Sequence, residues 1–176
     1  MLDLLHRDHH RIRKLLSLLD RKAEALAAGR HIEYPLVKSV LDYLHHYVDS
    51  VHHNEEELLL AQLGDDELQS AISAQHAQLA ELTERLAERV DMVLMDAIVP
   101  RDELLSALDG FVALQRAHLD FEEQTLFPAL KARLSEQDIE AARQRLEQKA
   151  HQDPLFGQEV RADHRGLFDS LRTDTE

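Results

Sequence analysis

The stretch His118-Leu119-Asp120-Phe121-Glu122-Glu123 decides the fold and the chemistry that we predict for this chain. It places a histidine four residues before a glutamate, and a second His-x-x-x-Glu occurs upstream as His52-His53-Asn54-Glu55-Glu56. A spacing of four puts the imidazole and the carboxylate on one face of a helix, about 5–6 Å apart at Cβ. Two such pairs on two helices can converge on a metal ion.

Around these motifs, apolar residues recur at steps of three and four, which predicts helices almost throughout. Stops at Gly29, Gly64, Pro100 and Asp153-Pro154 divide the pattern, and Asp65 or Asp66 and Ser135 are expected to cap helices. The predicted helices cover about 2–28, 35–63, 65–98, 101–134, 136–151 and 158–171. We expect Pro128 to kink or end the fourth of them.

The four long helices and their short connections predict an all-α fold, an up-down-up-down four-helix bundle. The bundle would comprise residues 1–134, and residues 135–176 would form a C-terminal helical extension packed on it.

Composition limits the function. The chain has 176 residues and a formal net charge of −14, which argues against nucleic acid or an anionic membrane as a partner. It contains no cysteine, so disulfides, thiolate zinc sites and iron–sulfur ligation within the chain are excluded. We found neither a transmembrane run nor a signal-peptide pattern, and we expect a cytoplasmic protein.

Each long helix carries a histidine on its apolar stripe. At about 1.5 Å of rise per residue, early helix 1, late helix 2, early helix 3 and late helix 4 lie at one level of an up-down bundle. Buried imidazoles and carboxylates are costly unless they are paired or bind metal. Imidazole and carboxylate ligands without thiolate suit iron, manganese or zinc. The candidate metal ligands at this level are His9, His52, Glu56, His76, His118 and Glu122.

These motifs together resemble the hemerythrin-like (HHE cation-binding) family over about residues 1–134. The matching text is Leu5 to His9, His52 to Glu56, Gln75-His76-Ala77 and His118 to Pro128, and Asp153 to Gly157 looks like the ending of stand-alone bacterial members. The resemblance implies a non-haem di-iron centre, oxo- or hydroxo-bridged, with the six candidates as ligands and Glu56 and Glu122 as bridges. Manganese or zinc could substitute for the two iron ions.

The chain also departs from the family pattern. Oxygen-carrying hemerythrins have a fifth histidine on helix 3, but Ile72 and Ala80 stand four residues either side of His76. A four-histidine, two-glutamate site is closer to di-iron proteins linked to nitrosative stress and iron–sulfur repair. Those proteins carry a cysteine-bearing N-terminal segment that this chain lacks.

A second pair, His53 and Glu57, competes with His52 and Glu56 for the inward face of helix 2. Its stripe is mostly polar, so we expect it to face solvent or a loop, with His53 a spare ligand only if the helix is locally irregular. Glu55 and Glu123 are expected to face solvent, unless either binds a ligand imidazole. His6 is placed beside the site or on an access route. The remaining histidines are expected outside the metal site, at the surface, in loops or too far along their helix: His10, His31, His45, His46, His151 and His164.

Three functions remain open from sequence. The first is a di-iron protein that binds, senses or scavenges a small diatomic such as oxygen or nitric oxide, or peroxide, with a redox partner protein. The second is iron storage, donation or iron-centre repair under oxidative or nitrosative stress. A ferritin-like oxidase is disfavoured because no Glu-x-x-His spacing occurs. The third is a metal-free helical interaction module.

Overall fold

The computed structural model describes residues 1–173, and all regular structure in that range is helical. Eight α-helices follow one another within it: α1 (Leu2–Ala27), α2 (Tyr34–Tyr43), α3 (His53–Leu63), α4 (Asp66–Leu94), α5 (Arg101–Phe121), α6 (Phe127–Arg133), α7 (Glu136–His151) and α8 (Arg165–Thr173). π-Helical turns over Leu44–His52 join α2 to α3, and others over Glu122–Leu126 join α5 to α6. A short 3₁₀ turn, Ala162–His164, precedes α8.

Four long rods therefore form the bundle: α1, α2 to α3, α4, and α5 to α6. Each rod contacts the next, and the fourth contacts the first. The all-α bundle predicted from sequence is confirmed, while the up-and-down course of the rods stays a prediction. Among residues 1–173, no helix is long and apolar enough to cross a membrane.

The helix ends follow from local chemistry. Gly29, with a φ of 69°, ends α1 in a Schellman motif, in which its N–H donates to Leu26 and that of Arg30 to Ala25. The Asp65 carboxylate accepts the N–H of Leu68 and caps α4. The Ser135 hydroxyl caps α7 in the same way.

Two predicted boundaries were wrong. Helix α4 ends at Leu94 rather than near Ile98, because Asp96 adopts a φ of 60° and its neighbour Ala97 donates back to Met92. The last helix begins at Arg165 rather than near Gln158.

The segment before α8 begins with a turn around Asp153. Its side chain accepts the N–H groups of Leu155 and Phe156, and its carbonyl accepts that of Gly157. Further on, the N–H of Gln158 donates to the carbonyl of His151 and that of Arg161 to the carbonyl of Pro154, and neither is the i to i−4 bond of an α-helix.

Pro128 does not end the fourth rod. The rod continues, but its hydrogen bonding changes to π-helical turns directly before the proline, which then occupies the first turn of α6. The first turn of a helix tolerates a residue without an N–H donor.

The apolar core is divided in two. The smaller apolar cluster gathers the start of α1, the end of α3, the start of α4 and α6, with Leu5, Leu60, Ile72 and Leu130 among its members. The larger apolar cluster gathers the remainder of the bundle interior, including Leu16, Leu41, Val90 and Phe111. Members of α7 join the smaller cluster, and members of α8 join the larger one.

Candidate metal centre

A layer of buried polar side chains lies between the two apolar clusters. Along α1, for example, His9 is placed between Leu5 of the smaller cluster and Ile12 of the larger one. All its members are at most 8% exposed. This polar layer contains all six residues predicted from sequence: His9, His52, Glu56, His76, His118 and Glu122.

Glu56 lies between histidines on two sides. Its Oε1 is 3.4 Å from Nε2 of His52 and 3.6 Å from Nε2 of His9. Its Oε2 is 3.6 Å from Nε2 of His76. The two oxygens of one carboxylate thus face different histidines.

Glu122 has the corresponding arrangement. Its Oε2 is 3.4 Å from Nε2 of His9, on the side of His52. Its Oε1 is 3.2 Å from Nε2 of His76 and 3.3 Å from Nε2 of His118. Both carboxylates therefore place one oxygen towards a His9/His52 side and the other towards a His76/His118 side.

Three of these histidines form a hydrogen bond through Nδ1 with another side chain. His9 donates to Glu123 at 2.9 Å, and His76 donates to Glu57 at 2.9 Å. His118 donates to the side-chain oxygen of Gln75 at 3.0 Å. A partner at Nδ1 fixes the tautomer that leaves Nε2 free as a ligand atom.

The electrostatics of the layer are dominated by burial and by the two carboxylates. Burial opposes charge on His9, but Glu122 and Glu56 outweigh it and raise the pKa of His9 from 6.5 to about 10. Burial lowers the pKa of His118 to about 4, against the pull of Glu122. Burial would raise the pKa of Glu56, yet the neighbouring His52 and His9 hold it well below its ordinary value. The pKa shifts of His9 and Glu56 both favour a protonated His9 beside an ionised Glu56 when no cation is bound.

These side chains fit a metal site. Within residues 1–173, Nε2 of His9, His52 and His118, both oxygens of Glu56 and Oε2 of Glu122 have no hydrogen-bond partner. Buried polar atoms are satisfied in the great majority of cases, so an unpartnered set of this size needs an explanation. The nitrogen-to-oxygen separations of 3.3–3.6 Å around these atoms exceed ordinary hydrogen bonds. Ligands about 2.1 Å from one ion would be spaced roughly this far apart.

Two overlapping groups of donors share Glu56. One comprises His9, His52, Glu56 and Glu122. The other comprises His53, Glu56, His76 and His118. In each group, one ligand atom from every residue lies within 4.8 Å of all the others.

His53 was expected to face solvent or a loop, and that prediction was wrong. It is 3% exposed, and its ring stacks on that of His76 with centroids 4.0 Å apart. The irregularity that would make it a spare ligand is present, because π-helical turns end at His52. Burial and the charge of His76 hold the pKa of His53 well below 6.5, which favours the neutral imidazole.

Other neighbours of the site also differ from expectation. Glu55 is 1% exposed and pairs with Arg145 and Lys149 of α7, so its solvent-facing placement was wrong. Glu123 is partly exposed but binds the imidazole of His9, the alternative that the sequence analysis allowed.

His6, which the sequence placed beside the site or on an access route, lies at the surface. His6 is half exposed, with its ring 4.8 Å from that of Phe127, which also contacts His9. His10 and His46 are exposed. None of these contacts the carboxylates of the polar layer in the described part of the chain.

Comparison with known families identifies the fold. The model of the hemerythrin HHE cation binding domain matches residues 1–130. The match covers well over half of the sequence, so the chain belongs to the hemerythrin HHE cation-binding domain family. No curated protein and no solved structure gives a significant match. The resemblance drawn from four short motifs is confirmed, and a cation-binding family accords with the buried histidines and glutamates.

Proposed function

We propose that this chain holds two iron ions in the polar layer and uses them to bind, sense or scavenge a small diatomic or peroxide. His9 and His52 would hold one ion, His76 and His118 the other. Glu56 and Glu122 would bridge them. The observation that carries the proposal is the division of each carboxylate, which offers one oxygen to each pair of histidines.

The protein's residues would prepare this site in three ways. Glu123, Glu57 and Gln75 keep a proton on Nδ1 of His9, His76 and His118, so that Nε2 points inward. The apolar clusters above and below exclude bulk water from the layer. Reduced iron, when bound, would supply an open coordination position and electrons to the incoming molecule.

Burial favours a small ligand. The inward atoms of His9, Glu56 and Glu122 have almost no accessible surface. A diatomic or peroxide can approach such atoms through side-chain motion, whereas a larger substrate would need the rods to separate. Transfer of electrons to oxygen would oxidise the iron, so a redox partner protein would be needed to reduce it again. The cytoplasmic location of the protein stays a prediction from sequence.

The first test is the metal content of aerobically purified protein, with its absorption spectrum. We expect about two irons per chain and oxo-to-iron bands in the near ultraviolet. Anaerobic protein loaded with ferrous iron should then change its spectrum on addition of nitric oxide or oxygen. Protein that neither contains iron nor takes it up anaerobically would contradict the proposal and favour the metal-free interaction module.

Iron handling is the main alternative. It predicts the same stoichiometry but rapid loss of iron to a weak chelator, without a stable adduct with nitric oxide. Manganese or zinc in place of iron, found by the same elemental analysis, would keep the site and change its chemistry.

A further inference from the structure

His53 is buried in the polar layer with no assigned task. Both of its ring nitrogens lack a hydrogen-bond partner among residues 1–173, although the ring is 3% exposed. An imidazole buried for packing alone would be expected to bond at least one nitrogen. Two unpartnered nitrogens beside other metal-binding groups therefore point to a ligand.

We infer that His53 is a further metal ligand, on the His76/His118 side of the centre. The inference deepens the proposed function and rests on it. It gives that side three histidines and leaves the His9/His52 side with two.

The ring geometry supports this position. The His53 ring lies parallel to that of His76, at 11° and 4.0 Å, and edge-on to that of His118 at 5.3 Å. One nitrogen from each of these three histidines and one oxygen of Glu56 lie mutually within 4.8 Å. The His52 ring is 5.7 Å from that of His53 and lies towards His9 instead.

The π-helical turns explain how adjacent residues serve both sides. In a regular α-helix, one rotation of about 100° separates neighbours, so an inward His52 would leave His53 beside the core. Here the hydrogen bonding changes at this junction: Leu44–His52 is π-helical, and α3 begins at His53. Such π turns are frequent at functional sites.

The carboxylate of Asp49 lies behind the His53 ring. Its Oδ1 is 3.3 Å from Nδ1 of His53, and its Oδ2 is 3.4 Å from Nδ1 of His45. A carboxylate behind Nδ1 favours the tautomer that offers Nε2 to a metal. The contact of Asp49 with His53 is longer than those of Glu57 with His76 and Glu123 with His9, and unlike them it is not a hydrogen bond.

The experiment compares His53→Leu with His46→Leu, a matched change at an exposed residue of the adjoining π-helical segment, Leu44–His52. Each variant is loaded anaerobically with ⁵⁷Fe(II), and chelator competition and Mössbauer spectra are recorded. We expect His53→Leu to lower the affinity for one of the two iron ions by about tenfold or more. One quadrupole doublet in the Mössbauer spectrum should change as well. His46→Leu should match the wild type.

Folding is controlled separately. Metal-free His53→Leu should unfold no earlier than the metal-free wild type, because leucine replaces an unpartnered polar ring with an apolar side chain. Should that variant not fold, Asp49→Asn gives the test, with an expected loss of metal affinity of about tenfold at the same ion.

Two outcomes overturn the inference, and they can be told apart. A wild-type protein that binds no metal removes the proposed function and this ligand together. A wild-type protein with two irons, and folded His53→Leu or Asp49→Asn with unchanged affinity and spectrum, removes only the role of His53.

Discussion

Glu123 acts on the site through His9. Its Oε1 accepts from Nδ1 of His9 at 2.9 Å and from Arg13 at 2.6 Å, so the carboxylate both orients and polarises the ring. We predict that Glu123→Ala lowers iron affinity by about 10- to 100-fold, as loss of an outer partner of a ligand histidine does elsewhere. Chelator competition measures it.

Asp120→Ala is the matched control for that variant. Asp120 also binds Arg13, at 2.8 Å, but is exposed and has no contact with His9 among the described residues. Equal iron loss in both variants would show that Arg13, rather than the carboxylate on His9, controls the site.

The pH dependence of the metal-free protein follows from His9. Its folded pKa of about 10 exceeds the ordinary 6.5, so its stabilising contribution is complete below pH 6.5 and is lost as pH rises towards 10. We predict a lower free energy of unfolding at pH 9.5 than at pH 6.5 in the presence of chelator. Urea denaturation at both values measures the difference.

His9→Gln should reduce that difference, since it removes the titrating ring. A metal-free wild type that is equally stable at both pH values would contradict the assignment of charge to His9. Iron affinity should change in the opposite direction, rising with pH, because the ligand imidazole must lose its proton.

At the level of helices, the sequence correctly predicted the features that follow from a regular α-helical repeat. The six residues of the polar layer repeat with apolar neighbours at α-helical steps, so their common face could be counted out. Glu55 could not be placed, because its burial comes from contacts with α7. His53 could not be placed, because nothing in the residues near Leu44–His52 marks the change to π-helical turns. Counting at 100° per residue fails beyond such a turn.

Glu55 connects α3 to α7. Its carboxylate binds Arg145 at 3.0 Å and Lys149 at 2.6 Å, and so fastens α7 to the second rod. We predict that Glu55→Gln lowers the free energy of unfolding by about 1.5–3 kcal/mol, the range for hydrogen bonds to charged groups. Both cations are about one-third exposed, so water can solvate them after the change.

Urea unfolding and limited proteolysis check this prediction. Cleavage within 136–173 should become faster in Glu55→Gln, because α7 loses a buried anchor. Glu147→Gln makes the same charge change on an exposed position of α7 and should behave as wild type. Proteolysis that does not distinguish the two variants would argue against a C-terminal extension docked through Glu55.

Over the whole molecule, the polar layer interrupts a core that is otherwise apolar. The long amphipathic repeats were sufficient to predict a helical bundle, and histidines at one depth were sufficient to predict the layer. The start of α8 was not predictable in this way, because the N–H groups of Gln158 and Arg161 bond seven residues back, to the carbonyls of His151 and Pro154. Such backbone bonds depend on tertiary structure and override local helix propensity.

Because the polar layer and the apolar clusters are separate, the stability that comes from metal can be distinguished from the stability that comes from apolar packing. Metal that binds only the folded chain adds about 2.7 kcal/mol at a concentration 100-fold above its Kd. His118→Ala should remove this metal-dependent gain while destabilising the metal-free protein less than an apolar truncation. Leu16→Ala, in the larger apolar cluster, should lower the free energy of unfolding by about 2–5 kcal/mol with or without metal, and should keep the metal-dependent gain.

Thermal unfolding with iron and with chelator measures the metal-dependent gain and the stability of the metal-free protein. His10→Ala, at an exposed position beside His9, should match wild type in both. A metal-dependent gain that survives in His118→Ala would place the cation outside the polar layer.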